Sequence, residues 1–377
     1  MSGPLAIVAD ENIAAIEELF AGYASIRRVA GRNLKASDLD GADALLVRSV
    51  TQVDQGLLAG STIKFVGSAT IGTEHVDLDY LAASGIQFAN APGSNADSVA
   101  DYVCSALAAL LPDLGCIAGA GLKAGVIGYG QVGSRVTKRL QALGYHVSAY
   151  DPFLPTDAQS VLASFNEVIQ SDVLSLNVPL TRSGPHPTWQ MINSSVLEKL
   201  PAQSVLLNTC RGSVIDEPAL ASWLDDSPGA HAVLDVWERE PAIDATLAAK
   251  VSVATPHIAG YALDGKIRGS KMLASAFIAH FGLTENQPIA NDKAQVLSLT
   301  GNESLNDILL QAYDVRRDDA ALRRALIGQS IGPEFDQLRK SYPMRREYSA
   351  TTLQFSKTPT QNTATCLQAL GFKLALD

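Results

Sequence analysis

A glycine-rich turn between a short apolar strand and an amphipathic helix most strongly constrains the fold of this 377-residue chain. A strand ending at Ile127 leads into Gly128–Gly133, which reads GYGQVG, and a helical pattern of apolar residues follows. A second strand, Tyr145–Tyr150, ends at Asp151. This order of strand, turn, helix, strand and acid predicts half of a doubly wound parallel sheet that binds a dinucleotide.

The residues of this motif have separate physical tasks. Gly128 permits the tight turn, Gly130 lets the backbone approach a pyrophosphate, and Gly133 lets the helix sit close to the sheet. The free N–H groups and positive dipole end of the helix attract phosphates. A carboxylate at Asp151 accepts hydrogen bonds from a ribose diol and repels a 2′-phosphate, so the sequence predicts NAD rather than NADP. The alternative is a glycine-rich turn that binds no ligand.

Composition excludes several classes of protein. The formal net charge is −10, and a chain this acidic is not expected to bind nucleic acid or an anionic membrane surface. No stretch approaches the roughly 18 apolar residues of a membrane helix, and we expect no signal peptide. The cysteines lie far apart, at Cys104, Cys116, Cys210 and Cys366. This spacing favours a reducing, cytoplasmic location and argues against a metal site or a disulfide framework.

Short apolar strands alternate with helical patterns, which predicts an α/β fold of doubly wound, mostly parallel sheets. The strands predicted in a first unit are Leu5–Ala9, Ile26–Val29, Ala44–Val47, Lys64–Ser68 and Ile86–Ala89. Those predicted around the glycine turn are Val173–Leu176, Val205–Asn208, Val233–Val236 and Val251–Ala254. Two adjacent units of this kind indicate a ligand cleft between them. Beyond a polar linker at Thr284–Asp292, a small α+β unit is predicted from the pattern Tyr348–Phe355, Thr360–Gly371 and Phe372–Leu376.

Four polar residues lie at or near the carboxyl ends of strands in the unit of the glycine turn. Arg211 follows one predicted strand, and His257 follows another. Asp235 falls within a predicted strand, and Glu240 lies just beyond it. Carboxyl ends of parallel strands face the ligand in such folds. The sequence therefore predicts a working set of an arginine, a carboxylate and a histidine.

With the glycine turn, three motifs around these residues resemble the D-isomer-specific 2-hydroxyacid dehydrogenase family over roughly residues 1–286. They read TCRG, DVWEREP and PHIAGY, at residues 209–212, 235–241 and 256–261. The resemblance implies a discontinuous substrate domain and an NAD-binding Rossmann domain, with a further C-terminal domain. The implied boundaries are 1–96 with 258–286, then 97–257, then 287–377.

The resemblance also implies cofactor contacts beyond Gly128, Gly130, Gly133 and Asp151. Asp235 matches the position that accepts the nicotinamide carboxamide N–H. The family often has a polar side chain where this chain has Val178, so only a backbone contact is expected there. The remaining implied contacts are Gln131, Val132, Thr209, Cys210, Arg211 and Gly260.

The chemistry of a 2-hydroxy acid suits these residues. A base must remove the hydroxyl proton as hydride leaves, and histidine is the side chain most often used as a general base near neutral pH, so we assign this role to His257. Glu240 is placed to fix the imidazole tautomer and balance its charge. Arg211 offers a planar fork for the substrate carboxylate and can polarise the nascent ketone.

Further motifs resemble one branch of that family, whose members oxidise a phosphorylated 2-hydroxy acid. They read VRSVT, FVGSAT, YDVRRDD, GPEFDQLRK and RRE, at residues 47–51, 65–70, 313–319, 332–340 and 345–347. This likeness implies that Ser49, Thr70 and Tyr261 contact the substrate and that residues 287–377 form a homodimer interface. The alternative for the two hydroxyl residues is ordinary loop capping.

The substrate phosphate requires a basic partner. The candidates are Arg48 and the pairs Arg316/Arg317 and Arg345/Arg346. The alternative is a set of surface ion pairs, each of which contributes little.

Two other functions stay open at this point. One is a dehydrogenase of a different phosphorylated 2-hydroxy acid, 3-phosphoglycerate above all. The other is an NAD-sensing corepressor, although the chain shows no extended disordered tail for recruiting partners. We interpret His75 as structural and Cys210 as a small packing residue rather than a nucleophile.

Overall fold

The computed structural model describes residues 5–111, 121–155, 157–285, 294–327 and 331–376. Its strands are β1 Leu5–Asp10, β2 Ala24–Val29, β3 Ala44–Val47, β4 Phe65–Ser68, β5 Gln87–Ala89, β6 Lys123–Ile127, β7 His146–Tyr150, β8 Val173–Leu176, β9 Val205–Asn208, β10 His231–Leu234, β11 Val253–Ala254, β12 Gln295–Leu299, β13 Thr351–Phe355 and β14 Lys373–Leu376. Its α-helices are α1 Ile16–Phe20, α2 Gln55–Leu58, α3 Leu78–Ala83, α4 Ala96–Leu110, α5 Gln131–Ala142, α6 Phe165–Val168, α7 Ser194–Leu197, α8 Glu217–Asp226, α9 Ala245–Lys250, α10 Leu263–Phe281, α11 Leu305–Ala312, α12 Val315–Leu326, α13 Ile331–Lys340 and α14 Gln361–Ala369.

The chain divides into two compact units, and the first comprises Met1–Asn95 with Leu263–Lys293. Its sheet has five parallel strands in the order β2-β1-β3-β4-β5. Helix α10 returns to cover this sheet, and the Phe277 ring makes T-shaped contacts with Phe20 and Phe65 at centroid distances of 5.5 and 5.8 Å. This aromatic cluster anchors the returning helix to the first unit.

The second unit comprises Ala96–Ala262 with Ala294–Asp377. Its larger sheet has six parallel strands in the order β11-β10-β9-β8-β6-β7. A lone parallel bridge between Ala149 and Leu162 continues the sheet beyond β7. When this bridge is counted as a further strand position, the strand order is that of a Rossmann fold. Successive strands are added towards one edge of the sheet from β6 to β7, and towards the other edge from β8 onward. Ligands bind at such a switch point.

The residues from Ala294 onward contribute a second, smaller sheet to this unit, with parallel strands in the order β12-β13-β14. Asp101 of α4 joins it to the Rossmann part: one carboxylate oxygen accepts from Arg139 Nε at 3.0 Å and the other from the Tyr348 N–H at 2.9 Å. Burial raises the pKa of Asp101 to about 7, although the charge of Arg139 opposes that rise. The acid that interrupts the apolar face of α4 is therefore a structural link.

The predicted α/β class and parallel sheets are confirmed, and the predicted strands Ala44–Val47, Val173–Leu176 and Val205–Asn208 match β3, β8 and β9 residue for residue. The strand predicted at Val233–Val236 lies two residues too late, because β10 spans His231–Leu234 and Asp235 directly follows it. We did not predict β12 or helices α11 to α13. The three-domain division and its boundaries stay a prediction, and the linker from residue 286 lies outside the described residues.

Cys104 and Cys210 are free and buried, whereas Cys366 is disulfide-bonded. This bond departs from the reduced state that we expected for the cysteines, and Cys116 lies outside the described residues. Within the described ranges, no helix has both the length and the apolar character that a membrane span requires.

Candidate active site

The glycine turn has the backbone geometry that its sequence requires. Gly128 adopts φ 86°, and a Cβ there would lie 2.5 Å from the Asn177 carbonyl oxygen beyond β8. A Cβ on Gly133 would lie 1.8 Å from the Gly128 carbonyl oxygen. By contrast, a Cβ on Gly130 would meet no protein atom within 4 Å. Two of these glycines therefore serve packing, and the third borders open space at the start of α5.

These differences predict opposite results for two alanine substitutions. Gly133→Ala is expected to destabilise the fold by about 3 kcal/mol, the upper end of the usual cost of overpacking, since the methyl group overlaps a backbone oxygen. Gly130→Ala is expected to keep wild-type stability and to raise the Kd for NAD about tenfold or more, a cost of about 1.4 kcal/mol. Urea unfolding and titration with NADH fluorescence measure the two effects. Equal losses of stability in both variants would contradict the assignment of Gly130 to the ligand.

Asp151 follows β7 and holds the glycine turn. Its Oδ2 accepts from the Tyr129 N–H at 3.0 Å, and its Oδ1 accepts from the Phe153 N–H at 3.1 Å. Each oxygen keeps acceptor capacity, because a carboxylate has about four lone-pair sites. The carboxylate is thus compatible with a ribose diol at the end of β7.

The loop after β9 contains a polar atom without a partner. Thr209 Oγ1 is buried and has no hydrogen-bond partner among the described residues. Next to it, the Cys210 N–H and thiol both lie 3.1 Å from Asn208 Oδ1, and burial raises the pKa of that thiol. A bound ligand would supply the hydrogen-bond partner that this hydroxyl lacks. The unpaired hydroxyl and the open space at Gly130 are compatible with a bound dinucleotide.

The other implied cofactor contacts surround the same loops. Gln131 is exposed at the start of α5, and Val132 follows it, half-buried. The half-buried Val178 follows β8 and packs against the core cluster that contains Cys210. Gly260 is half-buried in the loop after β11.

Arg211 lies on a loop that packs tightly against the turn after β10. A Cβ on the next residue, Gly212, would lie 1.9 Å from the Trp237 carbonyl carbon, so only glycine fits there. The Arg211 carbonyl accepts from Asn208 Nδ2 at 2.9 Å, and a terminal guanidinium nitrogen donates to the Cys210 carbonyl at 2.7 Å. The structure therefore brings the backbone of Arg211 beside the turn that carries Glu240.

His257 and Glu240 form a hydrogen-bonded pair. His257 Nδ1 lies 2.8 Å from Glu240 Oε2, with side-chain exposures of 33% and 21%. The other carboxylate oxygen accepts from the Trp237 N–H at 2.9 Å. Burial alone would raise the pKa of Glu240, but the charge and hydrogen bond of His257 hold it below its ordinary value. A carboxylate bound at Nδ1 fixes the tautomer in which Nε2 has the lone pair.

The backbone of His257 is held in an unusual conformation. Its φ is 56°, in the left-handed region that few residues other than glycine adopt. Three consecutive N–H groups donate to one residue, Asp235: that of His257 to the carbonyl at 2.7 Å, and those of Ile258 and Ala259 to the carboxylate at 2.7 and 2.8 Å. Asp235, which is 1% exposed, also accepts from the Thr255 hydroxyl at 2.6 Å. It therefore clamps the loop that presents the imidazole.

The three residues predicted to contact substrate lie in both units. In the first unit, Ser49 and Thr70 follow β3 and β4, which pair in parallel with Val47 opposite Ser68. The Thr70 hydroxyl lies 2.8 Å from that of Ser68, which also contacts buried His75 at 2.9 Å. In the second unit, Tyr261 lies four residues beyond His257.

Sequence reasoning did not predict that Arg345 and Arg339 contact the His257 loop. Arg345 is buried and donates to the Ala259 carbonyl, which removes it as a phosphate candidate. Arg339 of α13 donates through Nε to the Tyr261 phenol at 3.1 Å. These contacts join residues 86 and 78 positions apart, so local sequence patterns could not reveal them.

Comparisons with known proteins identify the fold and the family of this chain. Residues 115–259 match the NAD-binding domain of the D-isomer-specific 2-hydroxyacid dehydrogenases, and residues 288–371 match a domain of unknown function. A D-lactate dehydrogenase structure from Aquifex aeolicus, complexed with NAD and lactic acid, has a TM-score of 0.60 at 24% identity and covers 74% of this chain and 95% of its own. A cofactor-bound 3-phosphoglycerate dehydrogenase from Entamoeba histolytica has a TM-score of 0.61 at 22% identity, with the same coverages.

Closer relatives extend over nearly the whole chain. An erythronate-4-phosphate dehydrogenase of Pseudomonas putida is 44% identical over 352 residues, which cover 90% of this chain and 92% of the relative. One from Teredinibacter turnerae is 43% identical over 376 residues and covers 98% of both chains. The chain therefore belongs to the erythronate-4-phosphate dehydrogenase family, within the D-isomer-specific 2-hydroxyacid dehydrogenases.

Proposed function

We propose that this protein oxidises 4-phospho-D-erythronate with NAD to (R)-3-hydroxy-2-oxo-4-phosphooxybutanoate, a step in the synthesis of pyridoxal 5′-phosphate. The substrate is inferred from the names of the relatives. The observation that carries the chemistry is the 2.8 Å contact between His257 Nδ1 and Glu240, on a loop that Asp235 clamps. This arrangement supplies a general base of fixed tautomer.

The residues of the site have defined tasks in this reaction. His257 Nε2 accepts the proton of the substrate hydroxyl, and Glu240 stabilises the imidazolium that forms. Arg211 binds the carboxylate beside the reacting carbon through guanidinium N–H groups other than the one that donates to the Cys210 carbonyl. Ser49, Thr70 and Tyr261 supply hydroxyl groups for the rest of the substrate.

The cofactor site is assigned in the same way. The turn Gly128–Gly133, with the N–H groups of Gln131 and Val132, would hold the pyrophosphate. Asp151 would bind the ribose, and Asp235 the carboxamide through the remaining acceptor capacity of Oδ2. Val178, Thr209, Cys210 and Gly260 complete the set. When bound, NAD supplies the hydride acceptor, and the protein supplies orientation and electrostatics.

Steady-state kinetics test the substrate. The purified chain with NAD is expected to show kcat/KM on 4-phospho-D-erythronate about 10- to 100-fold above that on 3-phospho-D-glycerate, since a pocket built for one polar chain leaves groups unpaired with the other. The rise in NADH absorbance measures both rates. A preference for 3-phosphoglycerate would replace the proposed substrate, and the absence of turnover on both would favour an NAD-sensing corepressor.

We further propose a cytoplasmic homodimer whose interface lies in residues 287–377. Deletion of this segment is a poor test, because Leu322 and Phe335 are buried in a core cluster shared with the Rossmann part. The mass of the intact chain, followed by light scattering across a dilution series, tests the dimer directly.

A further inference from the structure

One arginine of the C-terminal region lies beside the candidate catalytic pair. The guanidinium carbon of Arg339 lies 5.7 Å from the centre of the Tyr261 ring, and its Nε donates to that phenol at 3.1 Å. The positive charge of Arg339 also contributes to the lowered pKa of Glu240. These observations place a cation against Tyr261, on the loop of His257, and within electrostatic range of the carboxylate partner of His257.

Helix α13 fixes the position of this arginine. Phe335, one turn before Arg339, is fully buried in a core cluster that includes Trp237. At the start of the helix, a Cβ on Gly332 would lie 3.5 Å from Pro241 Cγ. The helix therefore runs along the turn after β10, and Arg339 projects from the same helical face as Phe335.

The fork of Arg339 retains donors for a ligand. Within the part of the chain that the structure describes, Nε is the one Arg339 nitrogen in a hydrogen bond, and no carboxylate forms a salt bridge with the group. A guanidinium has five N–H donors in a planar fork. The four N–H groups of the terminal nitrogens can bind an anion in bidentate fashion.

Other arginines of the C-terminal region are committed to the fold. Arg316 makes a bidentate pair with Asp314, both contacts at 2.8 Å. Arg323 pairs with Asp319 and donates to two backbone carbonyls near β11. Arg345 is buried, with its guanidinium 4.3 Å from the centre of the Tyr313 ring. Arg339 differs from them because its half-buried fork lies beside the catalytic loop.

We propose that Arg339 binds the phosphate of the substrate. This assignment rests on the proposed oxidation of a phosphorylated 2-hydroxy acid, in which Arg211 takes the carboxylate and a second cation is needed at the far end. A phosphate that enters near Tyr261 would be repelled by the carboxylate of Glu240. Arg339 offsets that repulsion, because its positive charge acts on Glu240 and its terminal nitrogens keep donors for an anion beside the phenol.

Substitution of Arg339 tests the assignment. Arg339→Met is expected to raise both the KM for 4-phospho-D-erythronate and the Ki for competitive inhibition by inorganic phosphate, each about 10- to 100-fold. Arg339→Lys, which keeps the charge but loses the fork, is expected to give intermediate values for both constants. Methionine is a good helix former of similar length that can still cover the Phe335 ring, whose centre lies 6.0 Å from the Arg339 guanidinium carbon, so the fold is expected to remain.

Arg324→Met is the matched control. Arg324 is an exposed arginine of α12, outside the proposed machinery, and its loss should leave both constants at wild-type values. A fall in kcat with KM and the phosphate Ki unchanged would show that Arg339 merely positions Tyr261, and the proposal would fail. Equal behaviour of Arg339→Met and Arg324→Met would also refute it.

Calorimetric titration separates this proposal from the proposed function. Inorganic phosphate is titrated into the NADH complex of the wild type and of Arg339→Met, without any turnover. If 4-phospho-D-erythronate proves not to be a substrate but phosphate binding is lost in the variant, the anion site stands and the substrate assignment falls. Equal phosphate affinity in the two proteins overturns the role of Arg339, whatever the substrate is.

Discussion

Replacing His257 with asparagine is expected to lower kcat by about 10²–10⁴, the usual contribution of a general base, while NAD still binds. Asparagine is chosen because it tolerates the left-handed backbone of residue 257, where φ is 56°. The variant therefore removes the base with little strain on the loop. Stopped-flow kinetics under saturating substrate and NADH titration measure the two quantities. A kcat within about threefold of the wild type would show that another group accepts the proton.

Glu240→Gln tests the partner of this base. The amide keeps the shape of the side chain but removes the charge that stabilises the imidazolium. We expect the acidic limb of the profile of kcat/KM against pH to move to lower pH, because protonation of His257 becomes less favourable. An unchanged profile would separate Glu240 from the titration of the base.

The stability of the fold supplies a second readout of the same carboxylate. The folded pKa of Glu240 lies below its ordinary value, so the ionised group stabilises the fold above about pH 4.3 and that contribution is lost as pH falls through the folded pKa. The wild type should therefore lose its stability advantage over Glu240→Gln in acid, as urea unfolding at a series of pH values would show.

Much of the fold was predictable because it depends on local patterns. Strands β3, β8 and β9 are continuous apolar runs of four residues that are buried throughout, and such runs are typical of parallel sheets. The end of β10 was misplaced because Val236 continues the apolar run, although the chain has already turned at Asp235. Periodicity does not record where backbone pairing stops.

The C-terminal helices were missed for a different reason. Helix α12 reads VRRDDAALRRAL. We used its charged residues only as part of a motif that supports the family resemblance, and did not interpret them as the exposed face of a helix. Their contacts are long-range: Asp319 accepts from the Ala254 N–H at 2.7 Å, 65 positions away. Because β11 is an edge strand of the large sheet, its free N–H needs a partner, and α12 supplies one.

In the candidate site, too, some features follow from local sequence patterns and others only from tertiary packing. Glycine spacing and strand ends indicated His257, Glu240 and Arg211 as a set, because their positions follow from the topology of a parallel sheet. The clamp of Asp235 and the approach of Arg339 depend on tertiary packing. No sequence interval signals either of them.

Substitution of Asp235, which accepts the N–H groups of the His257 loop, is expected to lower both the stability of the fold and kcat. Asp235→Asn replaces one acceptor oxygen with an NH₂ group, so at least one buried N–H, that of Ile258 or Ala259, loses its partner. An unsatisfied buried donor costs about 1–3 kcal/mol, and Asp235→Ala, which removes both oxygens, should cost more. Since the same bonds hold the His257 backbone in a strained conformation, kcat is expected to fall in both variants together with the stability.

Asp244 provides a matched control for this prediction. Its carboxylate also accepts two backbone N–H groups, those of Thr246 and Leu247 at 2.7 and 3.2 Å, but at the start of helix α9. Asp244→Asn should cost less than about 1 kcal/mol, because asparagine caps helices nearly as well as aspartate, and kcat should stay at the wild-type value. Urea unfolding and kcat for the two asparagine variants then decide the question. If Asp235→Asn retains full kcat, the backbone of His257 holds its position without the clamp, and the structural basis of the imidazole's orientation must lie in the Glu240 contact alone.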